Sequence, residues 1–309
     1  MTAISTSSMS DISIELKGAY SIGRFSAMAC PCEILLESSE SRSAQLQTIQ
    51  KITQIAFQEA RRIEQKFSRY RNDNIIYQIN HSNGKAVSID EETSSLLSFA
   101  NQCYELSEGK FDITSGILRQ AWKFDGSDKI PTPEKVAELK SSIGWGKVKF
   151  NQTSINLPAG MEVDLGGIGK EYAVDSTVKC LRENTQKSFL VNYGGDIACP
   201  YPRKNNTPWS IGVDNPEQTG ENPLGKIELL QGGLATSGDA RRYLLKDGIR
   251  YSHILDPHTG YPVPDAPRSV TVIANTCIEA GMLSTFAMLE GNNAIEFLKE
   301  QDVQFWVIP

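Results

Sequence analysis

Between residues 161 and 182 an apolar run ends in an acid, and glycines and a lysine follow. The stretch reads Asp164-Leu165-Gly166-Gly167-Ile168-Gly169-Lys170, then Ala173, Val174, Val178 and Leu181 at helical spacing. The backbone has to turn sharply here and enter a helix. Glycine lets the main chain approach a ligand closely, and a helix start offers unpaired N–H groups to an anion. Lys170 adds a cation. The segment therefore reads either as a phosphate cradle or as a tight strand-to-helix turn with no ligand. Two familiar phosphate motifs do not fit. A P-loop needs glycine where Asp164 stands and Ser or Thr where Glu171 stands. A dinucleotide fingerprint read from Gly167 needs glycine where Tyr172 stands.

The chain has 309 residues and a formal net charge of -6, with no lysine or arginine block long enough to track nucleic acid. No apolar run reaches the roughly 18 residues of a membrane span, so membrane insertion is not expected. The first residues are Ser-rich and acidic, without a signal peptide or a lipid-attachment cysteine. Of the six cysteines, Cys30-Pro31-Cys32 lacks a second pair or a nearby histidine to complete a zinc site. Reduced thiols and a cytoplasmic location are the expectation.

Residues 1–20 read as a disordered leader and 21–309 as a single domain. Residues 22–36 read as a strand or hairpin. Leu46, Ile49, Ile52, Ala56, Ala60, Ile63 and Phe67 mark a long amphipathic helix over 44–67. Asp90 opens a second helix that Gly109 stops, and Pro133 opens a third. Two short strands are expected over 147–164, around Pro158-Ala159-Gly160, and a helix over 171–184. Strand-like runs follow at 188–193, 208–213, 225–230, 241–245, 249–255 and 268–274. Helices over 276–290 and 292–300 and a last strand at Phe305–Ile308 close the chain. Helices and strands come in blocks rather than in strict alternation, which favours an α+β fold.

Several constellations could carry chemistry. In Tyr251-Ser252-His253-Ile254-Leu255-Asp256-Pro257-His258-Thr259-Gly260 a strand ends in a tight turn. His253 is a candidate general base in a chain with three histidines, and Asp256 stands beside it; the alternative is a surface turn. Ala235-Thr236-Ser237-Gly238 either cradles a polar ligand through the Thr236 and Ser237 hydroxyls or forms a β-turn. Gly194-Gly195-Asp196 is a similar case. Gly109-Lys110-Phe111-Asp112-Ile113-Thr114 places an acid and a hydroxyl after a helix end, where capping is the simpler role. Phe67-Ser68-Arg69-Tyr70-Arg71 could stack on a planar ring or simply close the long helix.

Taken in order, Met28-Ala29-Cys30, Phe67–Arg71, Gly109–Thr114, Asp164–Lys170, Gly194-Gly195-Asp196, Ala235–Gly238, His253-Ile254-Leu255-Asp256-Pro257-His258-Thr259-Gly260 and Leu283-Ser284-Thr285 closely resemble the motifs of the ApbE-type FAD:protein FMN transferases. The likeness runs from about residue 22 to 300. It implies an α+β fold with two T-fold-like halves sharing one flavin site. It implies that FAD is a substrate and Mg²⁺ a cofactor. The FMN half would pass to a Thr or Ser hydroxyl of an acceptor flavoprotein with release of AMP, and FAD hydrolysis is a possible side activity. Residue by residue, Met28 and Tyr70 would line the flavin or adenine pocket, and Lys110, Phe111 and Asp112 part of the FAD wall. Asp164 would bond the nucleotide and Lys170 would bind FAD. The Gly167 carbonyl and Thr285 would face the metal, and His253 would be the base.

One position departs from the pattern. The family commonly reads Ala-Asp-x-Leu-x-Thr where this chain reads Ala280-Gly281-Met282-Leu283-Ser284-Thr285, and that Asp is a metal ligand. Mg²⁺ wants oxygen ligands, usually including a carboxylate. Glu279 points about 160° away around a helix axis from position 281, whereas Asp256 or Asp239 could reach in from another loop. Two readings follow: an active transferase with a rebuilt metal site, or a protein that binds FAD without transferring it.

Overall fold

The computed structural model describes residues 11–38, 40–213, 225–240 and 242–309. Its frame is one eight-stranded sheet: β1 (Ser13–Lys17), β2 (Tyr20–Ala27), β3 (Cys30–Glu37), β4 (Phe189–Tyr193), β5 (Asp196–Cys199), β6 (Gly232–Gly238), β7 (Ser269–Ala274) and β8 (Gln304–Ile308). Position in the sheet follows position in the chain, and every neighbouring pair is antiparallel. The mixture of this sheet with long helices is the α+β class expected.

Helix α1 (Arg42–Phe67) buries the stripe read from the sequence, Ile49, Ile52, Ala56, Ala60, Ile63 and Phe67, but leaves Leu46 largely exposed. The insertion that follows carries α2 (Ile75–Asn80), α3 (Glu91–Leu106) and α4 (Pro133–Lys140). Asp90 caps α3 by accepting from the Thr93 N–H, and Thr132 caps α4 likewise through Lys135. The chain returns through α5 (Gly169–Arg182) to β4, so β2-β3-α1-α5-β4-β5 run in the order ββααββ. After β6 and β7 come α6 (Cys277–Leu289) and α7 (Ala294–Glu300), then β8. The two parts thus use similar modules on one continuous sheet.

Helices α1, α5 and α6 line one face of the sheet. Two glycines permit the close approach. A Cβ at Gly23 in β2 would lie 1.8 Å from the Thr53 hydroxyl of α1, and one at Gly233 in β6 would lie 2.2 Å from the Cys277 backbone nitrogen at the start of α6. The opposite face is covered over β4–β6 by the hairpin Trp209–Val213 with Gly225–Leu229. Successive residues Leu190 and Val191 therefore belong to different cores, as the pleat requires.

Four expectations need correcting. Ser13–Lys17 form the edge strand β1 rather than part of a leader, through pairing of Ser13 with Arg24 to Lys17 with Tyr20; residues 1–10 lie outside the described residues. The two short strands after α4 are Lys149–Phe150 and Ser154–Asn156, so their turn falls at Asn151, not at Pro158–Gly160. The Asn151 side chain nucleates it by accepting from the N–H groups of Thr153 and Ser154. Ala235–Gly238 lie in a central strand rather than a turn, and Asp196–Cys199 form another strand that alternation did not mark. Tyr193 pairs with Asp196 around Gly194 and Gly195, both at positive φ, which makes a two-residue hairpin loop.

Candidate functional site

The glycine turn sits at the start of α5, facing β5, β6 and α6. Leu165 and Ile168 anchor it in the core. The Asp164 N–H donates to the Ile113 carbonyl at 2.8 Å, and its carboxylate accepts from the Gly166 N–H at 2.9 Å and pairs with the Arg69 guanidinium. The lack of a side chain at Gly116 makes this possible, because a Cβ there would stand 2.5 Å from that of Asp164. Arg69 also donates to the Tyr70 hydroxyl at 2.8 Å and lies 4.9 Å from its ring centre. Tyr70 itself is 81% exposed, an aromatic held out at the rim by its neighbour. Phe111 packs over Gly167, where a Cβ would lie 3.1 Å from its ring.

One turn further on, the Lys170 ammonium is 2.7 Å from a carboxylate oxygen of Asp196, which is 4% exposed. Burial alone would lower the lysine, but Asp196 outweighs it and holds the ammonium charged well above its usual range. Burial raises Asp196, and Lys170 opposes that rise. Cys30 flanks this pair from the β2–β3 turn; a Cβ at Gly194 would meet Cys30 at 2.8 Å and Lys170 Nζ at 3.9 Å. Met28 adopts φ 52° and donates its N–H to Glu64 at 3.0 Å.

Glu171 was not singled out in the sequence. Part of the residue reaches the surface, but its carboxylate is enclosed and, among the described residues, Oε2 has no hydrogen-bond partner. Burial first, then Asp196, push it up to about 8, against Lys170. Across from it is Gly281 of α6, whose carbonyl accepts from the Ser284 hydroxyl at 3.0 Å. Ser237 joins this group, 2.8 Å from the Ser284 hydroxyl and 3.1 Å from that of Thr285. Thr236, its neighbour in β6, points to the other face and meets the Thr271 hydroxyl at 2.8 Å. The two hydroxyls therefore do not share one cradle.

The remaining candidates gather at a second place. A cavity of about 280 Å³ is lined by Lys110, Asp256, His258, Asp265, Glu290 and Asn292 among others. Lys110 is paired with Glu290 at 2.6 Å, and Asp256 accepts from the His258 N–H at 2.8 Å. Asp112 is buried with both oxygens engaged. One accepts from the Thr114 N–H and hydroxyl at 2.7 and 2.6 Å, the other from the Trp145 N–H at 2.9 Å. This ties the 144–145 loop to the Phe111 segment, a positioning task close to the capping role of such residues. Asp239 is held by Arg250 and Arg268, each at 2.8 Å, which leaves it no free oxygen for an incoming loop site.

His253 does not line that cavity. Its ring meets Phe124 edge-on at 6.3 Å, and among the described residues its buried Nδ1 has no partner. Burial, and then the charge of Arg242, push the imidazole down to about 4. The unfolded chain accepts a proton near 6.5 that the folded chain declines. Stability contributed at His253 is thus present above about pH 6.5 and lost as pH falls to about 4. In an NMR titration of the three histidines, the His253 ring should have its midpoint near 4. A midpoint near 6.5 would show a solvated ring instead.

Among the described residues, no group of three or more His, Cys, Asp or Glu side chains stands ready to hold a metal ion. A cage built from protein carboxylates alone is therefore not what this site offers. The orphaned Glu171 oxygen, the Ser284 and Thr285 hydroxyls and the main-chain oxygens beside them do fit a hard cation that shares its shell with substrate phosphates.

The sequence profile of the ApbE family matches residues 28–307. The curated FAD:protein FMN transferase of Haemophilus influenzae is 30% identical over 258 residues, covering 80% of this chain and 75% of that one. The Vibrio cholerae protein of the same name is 31% identical over 235 residues, covering 74% and 70%. Among solved structures, the ApbE protein of Thermotoga maritima superposes with a TM-score of 0.81 at 31% identity, covering 93% of this chain and 94% of that one. The profile, the relatives and the shared fold agree, and the chain belongs to the ApbE family.

Proposed function

We propose that this protein transfers the FMN half of FAD to a Thr or Ser hydroxyl of an acceptor flavoprotein, with a divalent cation and release of AMP. The observation that carries the reading is the Lys170–Asp196 pair at the start of α5, with Glu171 set against Gly281 of α6 and the Ser237–Ser284–Thr285 hydroxyls between β6 and α6, in a member of this family. The acceptor oxygen forms a new bond to the FMN phosphorus. The phosphorus–oxygen bond to AMP breaks, AMP leaves with the electron pair, and the acceptor proton goes to a base. Such chemistry needs positioning and neutralised charge more than covalent help from the protein.

Each residue has a part in this scheme. Lys170 offers its ammonium to a phosphate oxygen from a pair that Asp196 keeps in place. Met28, Phe111 and Tyr70 supply apolar and aromatic surface for the ring systems. Arg69 and Asp164 hold the glycine turn at the site's rim. His253, neutral over the working pH range, receives the proton at a ring nitrogen. Asp256 shapes the turn that follows His253. The cation, held by Glu171, Thr285 and the Gly167 carbonyl, would neutralise charge on the phosphates. Where no acceptor is present, water in its place would give FMN and AMP. No helix among the described residues is long and apolar enough to cross a membrane, and the acceptor is the one macromolecular partner proposed.

The test is transfer itself. Incubated with FAD, Mg²⁺ and a flavoprotein domain bearing a Thr-containing flavin-attachment site, the protein should leave the acceptor fluorescent in a denaturing gel. EDTA should abolish the band. The second reading, FAD binding without transfer, has Gly281 in its favour, because that position has no acid to give a metal. It predicts bound FAD, no AMP and a dark acceptor.

A further inference from the structure

We infer that Glu171 is the cation-holding carboxylate of this protein, reaching from α5 into the space that a side chain at position 281 would otherwise fill. This inference rests on the transfer reading above and names one residue of that site. The geometry is reciprocal. A Cβ built on Gly281 would lie 2.6 Å from Glu171 Cγ, 3.1 Å from its Cδ and 3.0 Å from its Oε1. An acid at 281 and an acid at 171 would thus occupy the same volume, and only one fits. Glycine at 281 is what lets the longer side chain come across from the neighbouring helix.

The carboxylate so placed is not used by the protein itself. Oε2 of Glu171 is enclosed and, among the described residues, without a hydrogen-bond partner, although buried polar atoms are normally satisfied. No arginine or lysine forms a salt bridge with it among the described residues; Lys170, its neighbour in sequence, turns to Asp196. It lies instead against Gly281 of α6, the helix that also carries the Ser284 hydroxyl on the Gly281 carbonyl and, with Ser237 bridging them, Ser284 and Thr285. A carboxyl group with an idle, enclosed oxygen is a poor structural choice and a good partial shell for a hard divalent cation. Of the other candidate acids, Asp239 is held by two arginines and Asp112 by three donors, while one oxygen of Asp256 accepts from the His258 N–H.

The experiment follows Mn²⁺ binding by the loss of its free EPR signal, with the full-length protein saturated with FAD, for wild type, Glu171→Gln, Gly281→Asp and the double variant Glu171→Gly with Gly281→Asp. Glu171→Gln should weaken Mn²⁺ at least 10-fold while FAD affinity measured without metal stays within about twofold. Gly281→Asp alone should bind Mn²⁺ no better than wild type, because two carboxylates then compete for one space. The double variant should recover to within about threefold of wild type, since one acid again fills the volume; this also keeps the test decisive if a single variant folds poorly. Unchanged Mn²⁺ affinity in Glu171→Gln overturns the inference while leaving flavin transfer standing. Wild type that binds FAD but no Mn²⁺ overturns both the inference and the metal-dependent reading.

Discussion

Replacing His253 by alanine is expected to lower the rate of flavin transfer by about 10²–10⁴-fold, the range for loss of a general base, with FAD affinity within about twofold of wild type. Among the described residues the buried Nδ1 of His253 has no partner, so none of their donors has to be displaced before it accepts a proton. Its depressed pKa keeps it unprotonated at neutral pH, which sets the correct starting state at the cost of basicity. The loss should therefore appear in kcat rather than in KM for FAD. Single-turnover transfer to the acceptor, followed by in-gel fluorescence, measures it. Turnover within about threefold of wild type would remove His253 from the chemistry and leave it as a packed ring against Phe124.

Lys170→Ala should have two large effects that are separable. The first is on stability. Asp196 is 4% exposed and keeps its charge beside the ammonium. Removing one partner of a buried pair commonly costs about 3–5 kcal/mol, and the partial exposure of Lys170 places this case near about 3 kcal/mol. Urea unfolding of the ligand-free protein reads it, and Asp196→Asn in the same background should recover most of it, because the orphaned charge is then gone. The second effect is on binding. FAD carries the pyrophosphate and riboflavin does not, so Lys170→Ala should weaken FAD at least about 10-fold, the value of a charge-assisted contact, while riboflavin changes little. Equal losses for both ligands would mean that the lysine acts through folding alone.

What the sequence disclosed depended on periodicity. The stripe from Ile49 to Phe67, the cap at Asp90 and the helix-opening Pro133 placed α1, α3 and α4 within a few residues, because amphipathic helices repeat a simple signal. Strand β6 was hidden for the opposite reason. Gly233, Ala235 and Ser237 are small because α6 lies against them, and small residues do not look like a strand. Strand β1 was obscured by a Ser-rich start and by charged residues suited to a sheet edge, Glu15 and Lys17. In the site, the glycine turn was legible because its composition is unusual. Glu171 was not, since an acid in the first turn of a helix is an ordinary favourable residue. Its significance appears only when Gly281, more than a hundred residues away, is brought opposite it.

The sheet has one further property that concerns how the protein is made. Strand β3 finds its neighbour β4 only after the whole insertion and α5 have been synthesised: Cys32 pairs with Tyr193, and Leu36 with Phe189. Until then the β3 edge, with Ile34 and Leu36 that end up fully buried, has no strand to pair with. At about 5–20 residues per second, the intervening stretch on the order of 150 residues takes roughly 10–30 s to leave the ribosome. Over that interval the nascent chain presents an unpaired apolar edge, so early collapse of α1 onto β2 and β3, or capture by a chaperone, decides how much of it escapes aggregation.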